Sequence, residues 1–101
     1  MQAQTAYPLA FEREMGCTEA ELCRWLPGAS RGRSIERRER GADITLGVGQ
    51  VSIDWQQREP RRIALMVIPR LQVRFSTRGV ADAEWQQFMR YFDLYTQRGG
   101  G

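Results

Sequence analysis

Two cysteines, Cys17 and Cys23, stand six apart in a chain that contains no histidine. A complete zinc site cannot be assembled from Cys and His ligands within one molecule, so such a metal would have to be shared between two copies; two free thiols in a reducing compartment are the simpler expectation. The carboxylates fall in local pairs, Glu12/Glu14 and Glu19/Glu21. The first pair reads as the outward positions of a strand and the second as the first turn of a helix, both ordinary solvated places. With no imidazole, the usual general base and the usual partner of a nucleophilic cysteine are both missing. "GVG" at residues 47–49 is the nearest approach to a phosphate loop, and a hairpin explains it better. These residues lead to no catalytic residue, no metal ligand and no cofactor.

Arginine supplies a different chemistry. All fifteen basic residues are arginine, against twelve acids, for a net charge of +3. Its planar fork matches phosphate, which makes nucleic acid a natural partner class. The candidate contacts are Arg33, Arg37 and Arg38 in "RGRSIERRER", Arg58, Arg61 and Arg62 in "REPRR", and Arg74 on a later strand. Glu36, Glu39 and Glu59 dilute these clusters, and the absence of lysine also fits a GC-rich coding bias. Sheet-face RNA readers stack bases on exposed aromatics, whereas the outward positions expected here are Gln72, Arg74 and Ser76. Nucleic acid therefore ranks second among partner classes.

The apolar pattern sets the frame. At 101 residues, 42% hydrophobic and 27% charged, the chain suits one globular domain over residues 1–98 with a flexible glycine tail at 99–101. No stretch approaches the ~20 apolar residues of a membrane span and no signal core opens the chain, so a cytoplasmic protein without a membrane partner is expected. "YPLAFERE" alternates as a short, edge-like strand. Thr18 and Glu21 form a capping box that starts a helix carrying Leu22, Trp25 and Leu26, which Pro27-Gly28 should stop. Residues 29–42 read as an exposed loop with a short strand around Ile35. In "DITLGVGQVSIDW" a two-residue turn at Gly49-Gln50 would set Val48 opposite Val51, Leu46 opposite Ile53 and Ile44 opposite Trp55.

"QQREPRR" reads as a turn, followed by a strand over 63–68 that is apolar on both faces. Ile63, Leu65 and Val67 form one face; Ala64, Met66 and Ile68 form the other and are the candidate interaction patch for a protein partner or a homodimer. Pro69-Arg70 then leads to a last strand of Leu71, Val73 and Phe75. Loops of two or three residues would bury opposite faces of 63–68, and both stay open. The final helix begins at Asp82 as N-cap and aligns Trp85, Phe88, Met89, Phe92 and Tyr95, with Gln86, Gln87, Arg90 and Asp93 on its wet face.

The expected fold is an α+β two-layer sandwich, in the order β-α-β-β-β-β-α, with about four to five antiparallel strands and both helices on one face. This order resembles helix-grip and TATA-binding-protein-like architectures, where a curved sheet wraps a terminal helix. The segments "FEREMGCTEAE" and "FMRYFDLYTQRGGG" resemble a family of short uncharacterised β-proteobacterial proteins over nearly the whole chain; with no activity assigned to that family, the resemblance implies no functional residue. The leading expectation is a small non-catalytic binding or protein-interaction domain, through the 63–68 patch or a hollow under the aromatic helix. Arginine-mediated nucleic-acid binding comes second. A sulfur carrier using the terminal glycines comes third, because carriers extend such a tail from a strand and here it follows a helix.

Overall fold

The computed structural model describes residues 6–99. It contains β1 (Ala10–Met15), α1 (Glu19–Ala29), β2 (Ile35–Arg38), β3 (Gly41–Leu46), β4 (Gly49–Ile63), β5 (Met66–Arg78) and α2 (Asp82–Gln97). All five strands are antiparallel in one sheet of order β1-β5-β4-β3-β2. The expected α+β sandwich is present. Strands β2 to β5 form a meander, and β1 returns to pair with β5, so the first strand is an edge.

Period-two alternation selects the buried face. Ile44, Leu46, Val51, Ile53, Trp55, Leu71, Val73 and Phe75 point to the helices, where they meet Leu22, Leu26 and Ala29 of α1 and Trp85, Phe88, Met89 and Phe92 of α2. Phe11 stacks on Phe75 with ring centroids 5.0 Å apart, and Phe92 meets Phe75 edge-on at 5.5 Å.

The capping box is formed: the Thr18 hydroxyl accepts from the Glu21 amide, and the Thr18 amide donates to the Glu21 carboxylate. Pro27 does not stop α1, contrary to the sequence reading. It sits in the last turn, and the helix closes three residues later, where Arg31 and Gly32 take φ 55° and 75° and the Gly32 amide donates to the Pro27 carbonyl. Only one intrahelical donor is lost there, late enough for the turn to be completed around it.

The β3–β4 turn also differs from expectation. It uses Gly47-Val48, with Leu46 opposite Gly49, Ile44 opposite Val51 and Ala42 opposite Ile53. Gly47 provides the positive φ of 63°, while the bare Cα of Gly49 packs against the Arg78–Gly79 backbone, where a Cβ would clash. Moving the turn by two residues shifts every pair by four, an even number that keeps each side chain on its face. Its one casualty is Val48, left fully exposed at the turn.

At α2 the N-cap is Ala81 without a side-chain bond, not Asp82, whose carboxylate instead accepts from Gln86 at 3.3 Å. Gln86 is buried rather than wet. Its amide accepts from the Tyr7 amide at 2.8 Å and donates to the Tyr7 carbonyl at 2.7 Å, acting as a strand partner for the segment before β1. Leu94 stays exposed, opposite the apolar stripe.

Candidate functional site: a basic, apolar-tipped β arm

The largest departure from the sequence reading lies in β4 and β5. Beyond Trp55 and Leu71 neither strand has a third partner among the described residues, because β3 pairs only as far as Asp54 and β1 only as far as Leu71. The two strands continue alone as a ribbon. At ~3.3 Å per residue the stretch from residue 57 to residue 63 reaches about 20 Å beyond the sheet. "QQREPRR", expected as a turn, lies within β4. The turn falls instead inside the expected strand 63–68, as the two-residue loop Ala64-Leu65 closed by the Ile63–Met66 pair.

The pairing slips between Arg58 and Arg61, so that Glu59 and Pro60 together oppose Pro69. Both prolines lie at this bulge, where a missing amide donor costs no ladder bond. Ala64 takes φ 54°, a left-handed conformation that an alanine rarely adopts.

Opposed residues share a face, which fixes how side chains are distributed around the ribbon. Arg58 opposes Arg70, Arg61 opposes Ile68 and Ile63 opposes Met66, all on the face away from the helices; Arg62 and Val67 oppose each other on the other face. Apolar and cationic residues therefore occur on both sides. Ile63, Leu65, Met66 and Val67 are exposed, Leu65 completely so. Together they make up four of the seven exposed large hydrophobic residues among those described. Of the patch read from the sequence, Ala64 and Met66 lie at this exposed tip, while Ile68 is half-buried and leans towards Gly16.

Charge is concentrated in the same place. Residues 56–70 hold four arginines and one glutamate, the same +3 as the whole chain, leaving eleven arginines and eleven acids elsewhere in balance. At the root, Glu14 of β1 accepts from Arg70 at 2.7 Å and from Arg61 at 3.5 Å. Among the described residues, Arg58 and Arg62 make no ion pair.

The other arginines singled out by sequence do not converge on the arm. Arg74 is held by Glu12 at 2.6 Å, and the guanidinium, with Gln72, keeps the Glu12 carboxyl below its usual range. Arg38 bridges Asp43 at 2.9 Å and Asp54 at 2.5 Å. Its proton is held more tightly than usual, and the Asp43 carboxyl is pulled down in return. Arg37 lies over the Trp55 ring at 5.4 Å, and Arg33 donates to the Ser30 carbonyl at 3.2 Å. The open sheet face is thus a lattice of neutralised pairs, not a basic platform.

A hollow of about 280 Å³ does lie between the end of β1 and the two helices, lined by Arg13, Met15, Cys17, Trp25, Asp93 and Thr96. Its charges are already matched: Arg13 donates to both carboxylate oxygens of Asp93, at 3.1 and 2.5 Å, and the Tyr7 hydroxyl donates to the same carboxylate at 2.5 Å. Burial beside Asp93 pushes the Tyr7 phenol up to about 12. Both thiols are free; Cys17 is buried and its pKa is raised by that burial to about 11. Among the described residues no group of three or more potential ligands is placed to hold a metal, and no helix is long and apolar enough to cross a membrane.

At the carboxyl end, Gly99 adopts φ 69° and its amide donates to the Thr96 carbonyl at 3.0 Å, closing α2. Gly100 and Gly101, on which a carrier tail would depend, lie outside the described residues.

Sequence reading missed Leu65, Arg70 and Glu14 as parts of one feature. The available signal was six consecutive apolar residues, 63–68, bracketed by Arg61-Arg62 and Arg70. No protein-family model matches the chain, and neither curated proteins nor solved structures give a significant match to it.

Proposed function

We propose that the protein is a non-catalytic binding module whose contact element is the β4–β5 arm, and that its partner presents negative charge around an apolar or penetrable surface. One observation carries this reading: the arm combines the chain's entire net charge with its main cluster of exposed aliphatic side chains. Burying arginines and aliphatic groups together in a folded partner of opposite charge gains both on-rate and contact energy. The cytoplasm suits the module, since Cys17 and Cys23 are unpaired thiols.

The test is retention on a polyanionic matrix such as heparin as salt is raised. Neutralising Arg58, Arg61, Arg62 and Arg70 to glutamine should shift elution to markedly lower salt. A control variant with Arg24, Arg40, Arg90 and Arg98 neutralised carries the same charge change and should elute close to the parent under an arm-centred mode. Equal shifts in the two variants would show that the contact is diffuse and reject the arm as its seat.

A further inference from the structure

We propose that the arm is a membrane-docking device, with residues 63–67 entering the interface of an anionic bilayer and Arg58, Arg61, Arg62 and Arg70 resting among the lipid phosphates. This deepens the binding reading above and rests on it. The expectation of no membrane partner considered only spanning segments, which a peripheral contact does not need.

Three observations favour a lipid surface over other polyanions. The first is the order of chemistry along the arm. Its extreme end, Ile63 through Met66, is purely apolar; Arg62 follows at once, level with Val67, and Arg61 next, level with Ile68. At the strand rise of ~3.3 Å, the loop end stands about 7 Å beyond the Arg62–Val67 pair, within the depth to which apolar groups of peripheral proteins enter the headgroup and acyl boundary. The arginines then fall at phosphate level, with side chains long enough to adjust.

The second observation is that both layers surround the ribbon. Ile63 and Met66 lie on one face and Val67 on the other; Arg61 lies on one face and Arg62 on the other. A one-sided protein groove would leave half of these groups in water, whereas a bilayer interface surrounds the arm without demanding a matching shape. The ribbon's own pairs satisfy its inner backbone groups, and at interfacial depth water still reaches the outer ones.

The third observation concerns the alternatives. Residues 56–70 contain no aromatic side chain on which a single-stranded base could stack. Pairing of two arms from two copies would bring +3 against +3, with an otherwise neutral body offering no compensating charge.

The experiment is co-sedimentation of the full chain with large unilamellar vesicles of phosphatidylcholine alone or with phosphatidylserine at roughly a third of the lipid. Binding is expected to the anionic vesicles and not to the neutral ones. Arg58→Gln and Arg62→Gln should each weaken partitioning about fivefold, and Arg61→Gln and Arg70→Gln by less, because Glu14 already holds those two guanidinium groups. Leu65→Ser with Met66→Ser should weaken it tenfold or more with every charge in place. Leu65→Trp supplies a reporter whose emission should shift to the blue only with anionic vesicles. The tip is solvent-exposed, so circular dichroism of these variants should match the parent.

Four outcomes would overturn the lipid assignment. These are no binding to anionic vesicles, binding indifferent to the serine pair, tighter binding to duplex or single-stranded nucleic acid at equal phosphate concentration, or a concentration-dependent dimer that the serine pair abolishes. Loss of vesicle binding alongside arm-dependent heparin retention would reject the membrane and leave the arm reading standing. Arm-independent heparin retention would reject both.

Discussion

Gly28 of α1 and Tyr95 of α2 touch so closely that a Cβ on residue 28 would overlap the phenol ring. The missing side chain at residue 28 leaves room for the Tyr95 ring against α1. Gly28→Ala should therefore force the Tyr95 ring to swing aside and destabilise the fold by about 1 kcal/mol, the low end of the range for overpacking. Tyr95→Ala should cost stability alone, yet in combination with Gly28→Ala the two losses should fall short of additive, because the second change removes the obstacle the first creates. Urea denaturation of the four-member cycle measures the coupling directly.

The Asp93 carboxylate receives three donors from two residues, Arg13 of β1 and Tyr7 ahead of it. Asp93→Asn keeps the shape and removes the charge, leaving Arg13 unpaired with only 28% of its side chain exposed. A loss of about 2 kcal/mol is expected, in line with charge-assisted hydrogen bonds in partly buried settings. Replacing both partners, Arg13→Met with Asp93→Leu, should recover most of that loss, since paired removal leaves no stranded charge. Thermal unfolding would show the difference as a drop of several degrees for the single variant, restored in the double.

What sequence could and could not reveal follows burial. The Thr18–Glu21 capping box and the Trp85/Phe88/Met89/Phe92 stripe were legible because each is local: one depends on a three-residue spacing, the other on helical periodicity against a sheet. The β3–β4 faces were legible although the turn was displaced by two residues, because the resulting four-residue change of partner is even and preserves alternation. Gln86 was misread because its amide serves the Tyr7 backbone 79 positions away, which no window over α2 contains. The arm was illegible for a different reason. A ribbon with solvent on both faces imposes no inside and outside, so "QQREPRR" had no pattern to show, and its Pro and charges imitated a turn. Ala64-Leu65, the real turn, carries none of the usual turn residues.

Alkaline pH should unfold the protein earlier than its acids would suggest. Burial raises Cys17 from 9.0 to about 11, and burial with Asp93 raises Tyr7 from 10.0 to about 12. In both cases the folded state favours the protonated form. Stability is therefore complete below the unfolded values and is lost as pH climbs from about 9 towards 11 for the thiol, and from about 10 towards 12 for the phenol. Cys17→Ala should flatten the first part of the fall and Tyr7→Phe the second, read as urea midpoints at about pH 7, 9, 10 and 11.5. The acid limb has the opposite sign: Asp43 is depressed by Arg38, so its contribution is present above the ordinary carboxylate range and disappears as pH falls through its lowered value.

Ala64 sits at φ 54° in the loop that closes the arm, where an alanine Cβ crowds the following carbonyl at a cost of about 1–2 kcal/mol. Glycine relieves that strain and returns about 0.5–1 kcal/mol to the unfolded chain as added freedom. Ala64→Gly should thus tighten the hairpin by about 0.5 kcal/mol, while Ala64→Pro, confined near φ −65°, should open it. The arm pairs only with itself, so the effect belongs to a local opening equilibrium and not to the global transition. Hydrogen exchange across residues 61–68 should slow about twofold in the glycine variant and speed up sharply in the proline variant. Amides of the core strands, such as Ile53 and Val73, should exchange as in the parent. Since Ile63, Leu65, Met66 and Val67 are untouched by either change, the pair also asks whether the tip acts as a formed hairpin or only as an apolar segment: a formed hairpin predicts vesicle binding kept by glycine and lost with proline.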